Sequence, residues 1–409
     1  MSKRSLGPAL LLAAALLGGC AAIPPPTSLL NYAPAGAVAA DQRQRHNARV
    51  YDQAAGWVGR RYYDATLNNL DWPAAVARHR PAALAAENDD QLYTALNALL
   101  DELGDKHTHA LSPKEVDLYQ RRSSVLLGFR TGPLPGGHGH RRILAVFPGS
   151  PAALAGVKPG WILTAADDRP PGDVLGLGKL DDGQLVRCDF LDRDGRAQRF
   201  ELAARRLSYP PTRDIRRLPG DVLLLGFDTF DLSAARWVRA ELKRHRPAGG
   251  LILDLRDNIG GEARALAAIL AEFLPERAAL GSIRSRRSER ASARRTPHHP
   301  LGAGYRGPVA VLVSEASASA AEILAAVVQH EKRGAIVGTT TSGNVLVCVR
   351  WPLPAGGQLQ LSVYDYVGPD GQRLEGRGVT PDLVVEPAPG AEPDPQLEAA
   401  LATLHPAAP

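Results

Sequence analysis

Ser317-Ala318-Ser319-Ala320-Ala321-Glu322 follows the apolar run Val309-Ala310-Val311-Leu312-Val313 and opens a helical pattern running from Ile323 toward His330. A serine at such a strand-to-helix turn lies against unpaired N–H groups and the positive end of the helix dipole, where charge developing on an oxygen is stabilised. That is the setting a serine nucleophile needs. The spacing Ser319-x-x-Glu322 also fits a capping box, in which hydroxyl and carboxylate satisfy orphan backbone donors. A second signal shifts the balance toward catalysis. Leu251-Ile252-Leu253-Asp254-Leu255-Arg256-Asp257-Asn258-Ile259-Gly260-Gly261 is a buried-type strand that breaks into a glycine turn before another helix. Paired glycines leave backbone N–H groups open to a ligand, as an oxyanion hole requires.

Together the two segments resemble the tail-specific, or C-terminal-processing, serine peptidases and their relative the tricorn core protease. That resemblance runs from about Tyr51 to Glu386 and puts the nucleophile on Ser319 rather than Ser317. It implies a crotonase-like α/β spiral as the catalytic domain and an oxyanion hole formed by the N–H groups of Ala320, Gly260 and Gly261. A serine hydroxyl needs a base, itself oriented by a third group. Tail-specific peptidases supply a lysine from a Thr-x-Gly-Lys turn, but Thr341-Ser342-Gly343-Asn344 carries Asn344 there, and Cys348 stands where a supporting glutamine is common. The tricorn-like branch uses a histidine, and Leu103-Gly104-Asp105-Lys106-His107 matches its Leu-Gly-x-x-His stretch at His107, with Lys106 where that branch has serine. Imidazole titrates near neutrality, so it can take a proton and return it to the leaving amine. The resemblance further assigns Glu375, before the Gly376-Arg377-Gly378-Val379-Thr380-Pro381-Asp382 turn, to orienting the array. The expected site is thus Ser319, His107 and Glu375, with His109 the lesser candidate for the base. Asp254 and Arg256 are expected to brace the Gly260-Gly261 turn.

Around these residues the chain divides into a multidomain α/β protein. Residues 41–115 read as a helical domain, with Val50, Ala54, Trp57 and Val58 on one apolar face and Leu92, Leu96, Leu99, Leu100 and Leu103 on another. Asp71-Trp72-Pro73 marks a helix start. Residues 116–207 change to short strands and glycine turns, and Pro148 to Leu163 resembles a PDZ domain. By that resemblance the backbone of Leu127, Gly128 and Phe129 holds a peptide's terminal carboxylate while the peptide adds a strand to the sheet edge. From 208 to 388 strands and helices alternate, which predicts a largely parallel sheet, with a hairpin across Pro354-Ala355-Gly356-Gly357. Residues 389–409 form a Pro- and Ala-rich tail with one short helix near Gln396 to Leu404.

The 409 residues carry a net charge of +5, too little to argue for nucleic-acid binding. The basic excess from Arg284 to Arg295 reads as a solvated insertion loop, with contact to anionic lipid as the lesser reading. Residues 1–19 have the charge, apolar core and small-residue end of an export signal. Leu17-Gly18-Gly19-Cys20 looks like a bacterial lipobox, implying lipid on Cys20, a tether over residues 20–40, and the outer membrane facing the periplasm. Cys188 and Cys348 fall in different domains and are not expected to pair. No Cys–His spacing suggests a metal, and no cofactor is expected. The partners expected are protein or peptide substrates bound by their C-terminus, and the membrane. The reading is a serine peptidase of the cell envelope. A catalytically degenerate chain that only holds protein C-termini is the alternative, and a thioester hydratase a third.

Overall fold

The computed structural model describes residues 42–404 apart from 122, 134–138, 176–178, 209–210, 276, 287, 297–303 and 389–392. The expected signal, lipobox and tether lie outside the described residues. No described helix is long and apolar enough to cross a membrane.

Three helices come first: α1 (Arg43–Arg61), α2 (Trp72–Ala85) and α3 (Asp89–Asp101). The Asp71 carboxylate accepts the Ala74 N–H with Pro73 in the first turn, and Asn88 caps α3 through the Gln91 N–H. These are the side-chain acceptors that exposed helix N-termini require. Strand β1 (His109–Leu111) and helix α4 (Pro113–Arg121) then lead into a β-rich unit. That unit contains β2 (Ser123–Leu126), β3 (Phe129–Pro133), β4 (Arg141–Val146), α5 (Pro151–Leu154), β5 (Ile162–Ala166), α6 (Pro171–Val174), β6 (Leu185–Leu191), β7 (Ala197–Ala203) and β8 (Arg205–Ser208). Strands β3 to β7 form one antiparallel sheet in sequence order, so β3 is an edge, and β2 pairs with β8 in a separate two-stranded sheet.

The α/β part runs β9 (Arg213–Leu218), β10 (Val222–Phe227), α7 (Leu232–His245), β11 (Gly250–Asp254), α8 (Ala263–Leu270), β12 (Ala279–Ser285), β13 (Ser288–Arg295), β14 (Val309–Val313), α9 (Ala320–His330), β15 (Ala335–Gly338), β16 (Val347–Pro352), β17 (Gln358–Val367), β18 (Leu383–Val384) and α10 (Pro395–Leu404). Its main sheet has the order β18-β15-β14-β11-β10-β9, parallel except for β9. Every residue of β10 and β14 is buried, the unbroken apolar pattern of strands covered on both faces. Residues of α7, α8 and α9 share a core with one face, and Leu397, Ala400 and Leu404 of α10 pack on the other. The C-terminal segment marked off in the sequence as a tail is therefore part of this core.

A second sheet, β1-β17-β12-β13 with β16 also on β17, corrects two further expectations. Most of the basic segment is strand rather than insertion loop: Arg284 and Ser285 end β12, which pairs with β17, and Ser288 to Arg295 form β13, while Arg286 donates to the Gly59 carbonyl of α1 at 2.7 Å. The helical region is also not a separate body, because β1 pairs with β17 (His109 opposite Gln360). Leu353, Leu359, Leu361 and Val363 share a core with Val50, Tyr51, Leu92 and Leu96. Trp57, expected to face its own domain's core, stacks on Trp351 with ring centroids 4.1 Å apart, and the Arg61 guanidinium lies over both rings.

Candidate active site

Ser319 joins β14 to α9 with φ 54° and ψ −114°, a conformation that costs a non-glycine residue strain and that clusters at functional sites. The turn is held from several sides. The Ser319 N–H donates to the Asn344 carbonyl at 2.8 Å and to Glu322 Oε2 at 2.9 Å. Ser319 and Glu322 do form a capping box. Glu322 does more than cap, however. Wholly buried, its carboxylate also accepts Thr341 Oγ1 (2.6 Å) and the N–H groups of Gly343 (2.7 Å) and Asn344 (2.9 Å). Burial raises its pKa, and these hydrogen bonds oppose that rise. Sequence reading saw Glu322 only as a cap and missed its hold on the 341–344 turn. Ser317 is spent inside the fold, its hydroxyl donating to the Leu255 carbonyl and accepting the Ser314 N–H.

The glycine turn lies directly against this serine. A Cβ placed on Gly260 would sit 2.6 Å from Ser319 Cβ and 3.0 Å from the Ala320 nitrogen. One oxyanion-hole expectation is corrected here. The Gly260 N–H already donates to Asn258 Oδ1 at 2.8 Å, and its carbonyl accepts from Phe230 and Thr229, so Gly260 supplies room rather than a donor. Gly261 bridges Phe230 in parallel fashion, a pattern that uses the N–H groups of Phe230 and Glu262 and leaves that of Gly261 over. Among the described residues neither the Gly261 N–H nor the Ala320 N–H has a protein acceptor. Arg256 does not brace this turn through its side chain. It binds Asp254, Asp394 (2.7 Å) and Gln396 (3.1 Å), fastening α10 to the end of β11.

His107 reaches the same region from the other end of the chain. Its Nε2 lies 3.9 Å from Glu375 Oε2, too far for a hydrogen bond, and is buried without a partner among the described residues. That Glu375 oxygen accepts the N–H groups of Val345 (2.7 Å) and Leu346 (3.0 Å). The 341–346 turn is thus common ground: Asn344 holds the Ser319 N–H, and the next two N–H groups hold the glutamate beside His107. The Asn344 side chain turns to Ser342 Oγ at 2.7 Å. Cys348 lies 3.6 Å from Ser362 Oγ, and burial pushes its thiol up to about 12. Among the described residues, Cys188 and Cys348 are both free. His109 gives a ring nitrogen to the His107 carbonyl, and burial lowers its pKa.

At the other predicted site, Gly128 has φ +97° and packs so closely on Ser150 that a side chain would overlap it. The carbonyls of Leu127 and Gly128 are held by the N–H groups of Ala152 and Phe147, and Phe129 opens the edge strand β3. From that strand Arg130 reaches Asp257, just before the glycine turn, at 2.9 Å.

Residues 221–385, which contain both the Ser319 elbow and the glycine turn, match the model of peptidase family S41. The chain is a serine peptidase. Its relatives include carboxyl-terminal-processing proteases. One of these, from Synechocystis, is 27% identical over 349 residues, covering 80% of this chain and 78% of the relative. Among solved structures, a photosystem II D1 C-terminal processing protease superposes with a TM-score of 0.58 at 23% identity, over 83% of this chain and 93% of that one. Mature CPAF does so with a TM-score of 0.59 at 14% identity, over 88% and 95%. At these identities the two structures bear on the fold alone, a multidomain α/β architecture.

Proposed function

We propose that this serine peptidase is an endopeptidase of the cell envelope that cleaves peptide bonds through a Ser319–His107–Glu375 site in place of a serine–lysine dyad. One observation carries this reading: a histidine with a buried, unpartnered Nε2 faces Glu375 across the turn that also holds Ser319, while the residue in the lysine's place is an asparagine turned toward Ser342. In the proposed reaction Ser319 Oγ attacks the scissile carbonyl carbon as His107 takes its proton. The resulting oxyanion is held by the N–H groups of Ala320 and Gly261. Collapse breaks the C–N bond, His107 protonates the leaving amine, and water then releases the acyl group by the same steps. Glu375, partly buried with its carboxylate 3.9 Å from the ring, places a negative charge beside the imidazolium formed in between.

In this reading the α/β part is a crotonase-like spiral and the β-rich unit a PDZ domain. That unit takes a substrate's C-terminus at Leu127, Gly128 and Phe129, along the open edge of β3. Lipid on Cys20 ties the enzyme to the outer membrane, facing the periplasm. The deciding experiment is intact-mass analysis after treatment with a serine-directed phosphonylating reagent. The parent and Asn344→Ala gain one adduct, Ser319→Ala none, and His107→Ala reacts at least ~100-fold more slowly. Full reactivity of the histidine variant would refute the base assignment. The asparagine at 344 also favours a second reading, a chain that binds C-terminal peptides without cleaving them. That reading predicts peptide binding by the parent and no adduct at Ser319.

A further inference from the structure

In a serine–histidine–acid site the acid ordinarily fixes the ring by hydrogen bonding its second nitrogen. Here the nearby carboxylate cannot do so. Glu375 Oε2 is 3.9 Å from the ring and already accepts two backbone N–H groups. The His107 main chain, by contrast, is pinned at both ends. Its N–H donates to Asp105 Oδ1 at 2.7 Å, and Asp105 Oδ2 takes the Thr108 hydroxyl, which in turn accepts the Ser362 N–H from β17. Its carbonyl accepts Gln360 Nε2 at 3.0 Å and His109 Nδ1 at 3.0 Å. A carbonyl only accepts, so the His109 proton is on Nδ1.

We propose that Gln360 is a positioning residue for the base, fixing His107 through its peptide carbonyl rather than through its ring. Gln360 is well placed for this. It stands opposite His109 on one side of β17 and opposite Arg350 of β16 on the other. Its second amide atom is occupied as well, Oε1 accepting Arg350 Nε at 3.1 Å, so the amide cannot flip without losing both bonds. Arg350 is steadied in turn by the Tyr119 ring of α4, 4.2 Å from its guanidinium carbon. The result is one line of contacts, Tyr119 to Arg350 to Gln360 to the His107 carbonyl, that sets where the imidazole hangs above the 341–346 turn. This inference rests on His107 being the base.

Gln360→Glu tests it, because the variant keeps the shape and the acceptor for Arg350 and exchanges the donor to His107 for a second acceptor, with the added charge set against the Arg350 guanidinium. The expected result is a ~10- to 100-fold slower phosphonylation of Ser319 and an equal fall in kcat at nearly unchanged KM. The acid limb of the kcat/KM profile, which reports the free enzyme's base, also moves. Arg350→Met, which frees Gln360 without removing it, gives a smaller loss of the same kind and serves if the first variant does not fold. In the His107→Ala background Gln360→Glu costs nothing further, since residues acting as one unit are not additive. Undiminished reactivity of Gln360→Glu beside an impaired His107→Ala overturns the inference and leaves the base assignment standing. So does an equal loss in both backgrounds. If His107→Ala itself reacts at the parental rate, the base assignment fails, and the role of Gln360 fails with it.

Discussion

Replacing Gly260 by alanine adds one methyl group beside the nucleophile. That methyl would lie 2.6 Å from Ser319 Cβ, 2.8 Å from the Ala318 carbonyl oxygen and 3.0 Å from the Ala320 nitrogen. Ordinary contact begins near 3.4 Å, so Ser319 Cβ must retreat by roughly 0.8 Å and the Ala320 nitrogen by roughly 0.4 Å. A displacement of about 1 Å from attack geometry costs on the order of 100-fold in rate. The φ of +95° at Gly260 adds backbone strain of about 1–3 kcal/mol. Gly371 separates the two effects, since its φ is +82° and nothing lies within 4 Å of the position its Cβ would take. Gly371→Ala is expected to lose comparable stability in urea titration and keep the parental phosphonylation rate, while Gly260→Ala loses both. Parental reactivity in Gly260→Ala, or an equal slowing in Gly371→Ala, would show that close packing at the turn does not set the reactive geometry.

Three further outcomes are expected. Glu375→Gln removes the negative charge facing His107 while its amide oxygen can still accept the 345–346 N–H groups. Phosphonylation slows ~10-fold with little loss of stability; a large fall in the urea midpoint would instead mark Glu375 as chiefly a turn anchor. Arg256→Gln strips Asp254 and Asp394 of their partner and costs about 3 kcal/mol or more, read as exposure of the α10 segment to hydrogen exchange; unchanged protection there would contradict this. Burial is the leading cause of lowered pKa values at His46 and His109, so between the folded and unfolded values the unfolded chain binds more protons. Their contribution is present above about pH 6.5 and is lost as pH falls through the folded values. The urea midpoint should drop from pH 7.5 to 5.5, and drop less in His46→Gln; a midpoint that rises on acidification would reverse the assignment.

Much of this site was legible because its parts are local. Strand, small-residue turn and helix around Ser319 follow from short-range patterning, as do the glycine turn after β11 and the helix start at Asp71. What escaped was decided by side chains meeting across the chain. The claim of Asn258 on the Gly260 N–H needs a buried amide aimed at one donor, and three of the four donors on Glu322 come from a turn some twenty residues later. The marking-off of the helical region as a body of its own failed for the same reason. Three residues from His109 to Leu111 are too short to signal a strand, yet their pairing with β17 decides which body His107 belongs to. The arginines from 284 to 295 suggested a solvated loop, but charge on an edge strand is an ordinary way to keep a sheet from pairing further.

The bond between His107 and Gln360 closes a loop of 253 residues. Loop closure of that length is slow to be rewarded, because its entropy must be met before the contact forms. During synthesis the amino-terminal helices therefore emerge long before the strand that anchors the histidine exists, and Glu375 follows later still. A growing polypeptide can thus display the serine elbow without the assembled machinery. In the proposed site, hydrolytic competence therefore waits for β17 and Glu375 to be made, which spares the neighbours of a half-made enzyme.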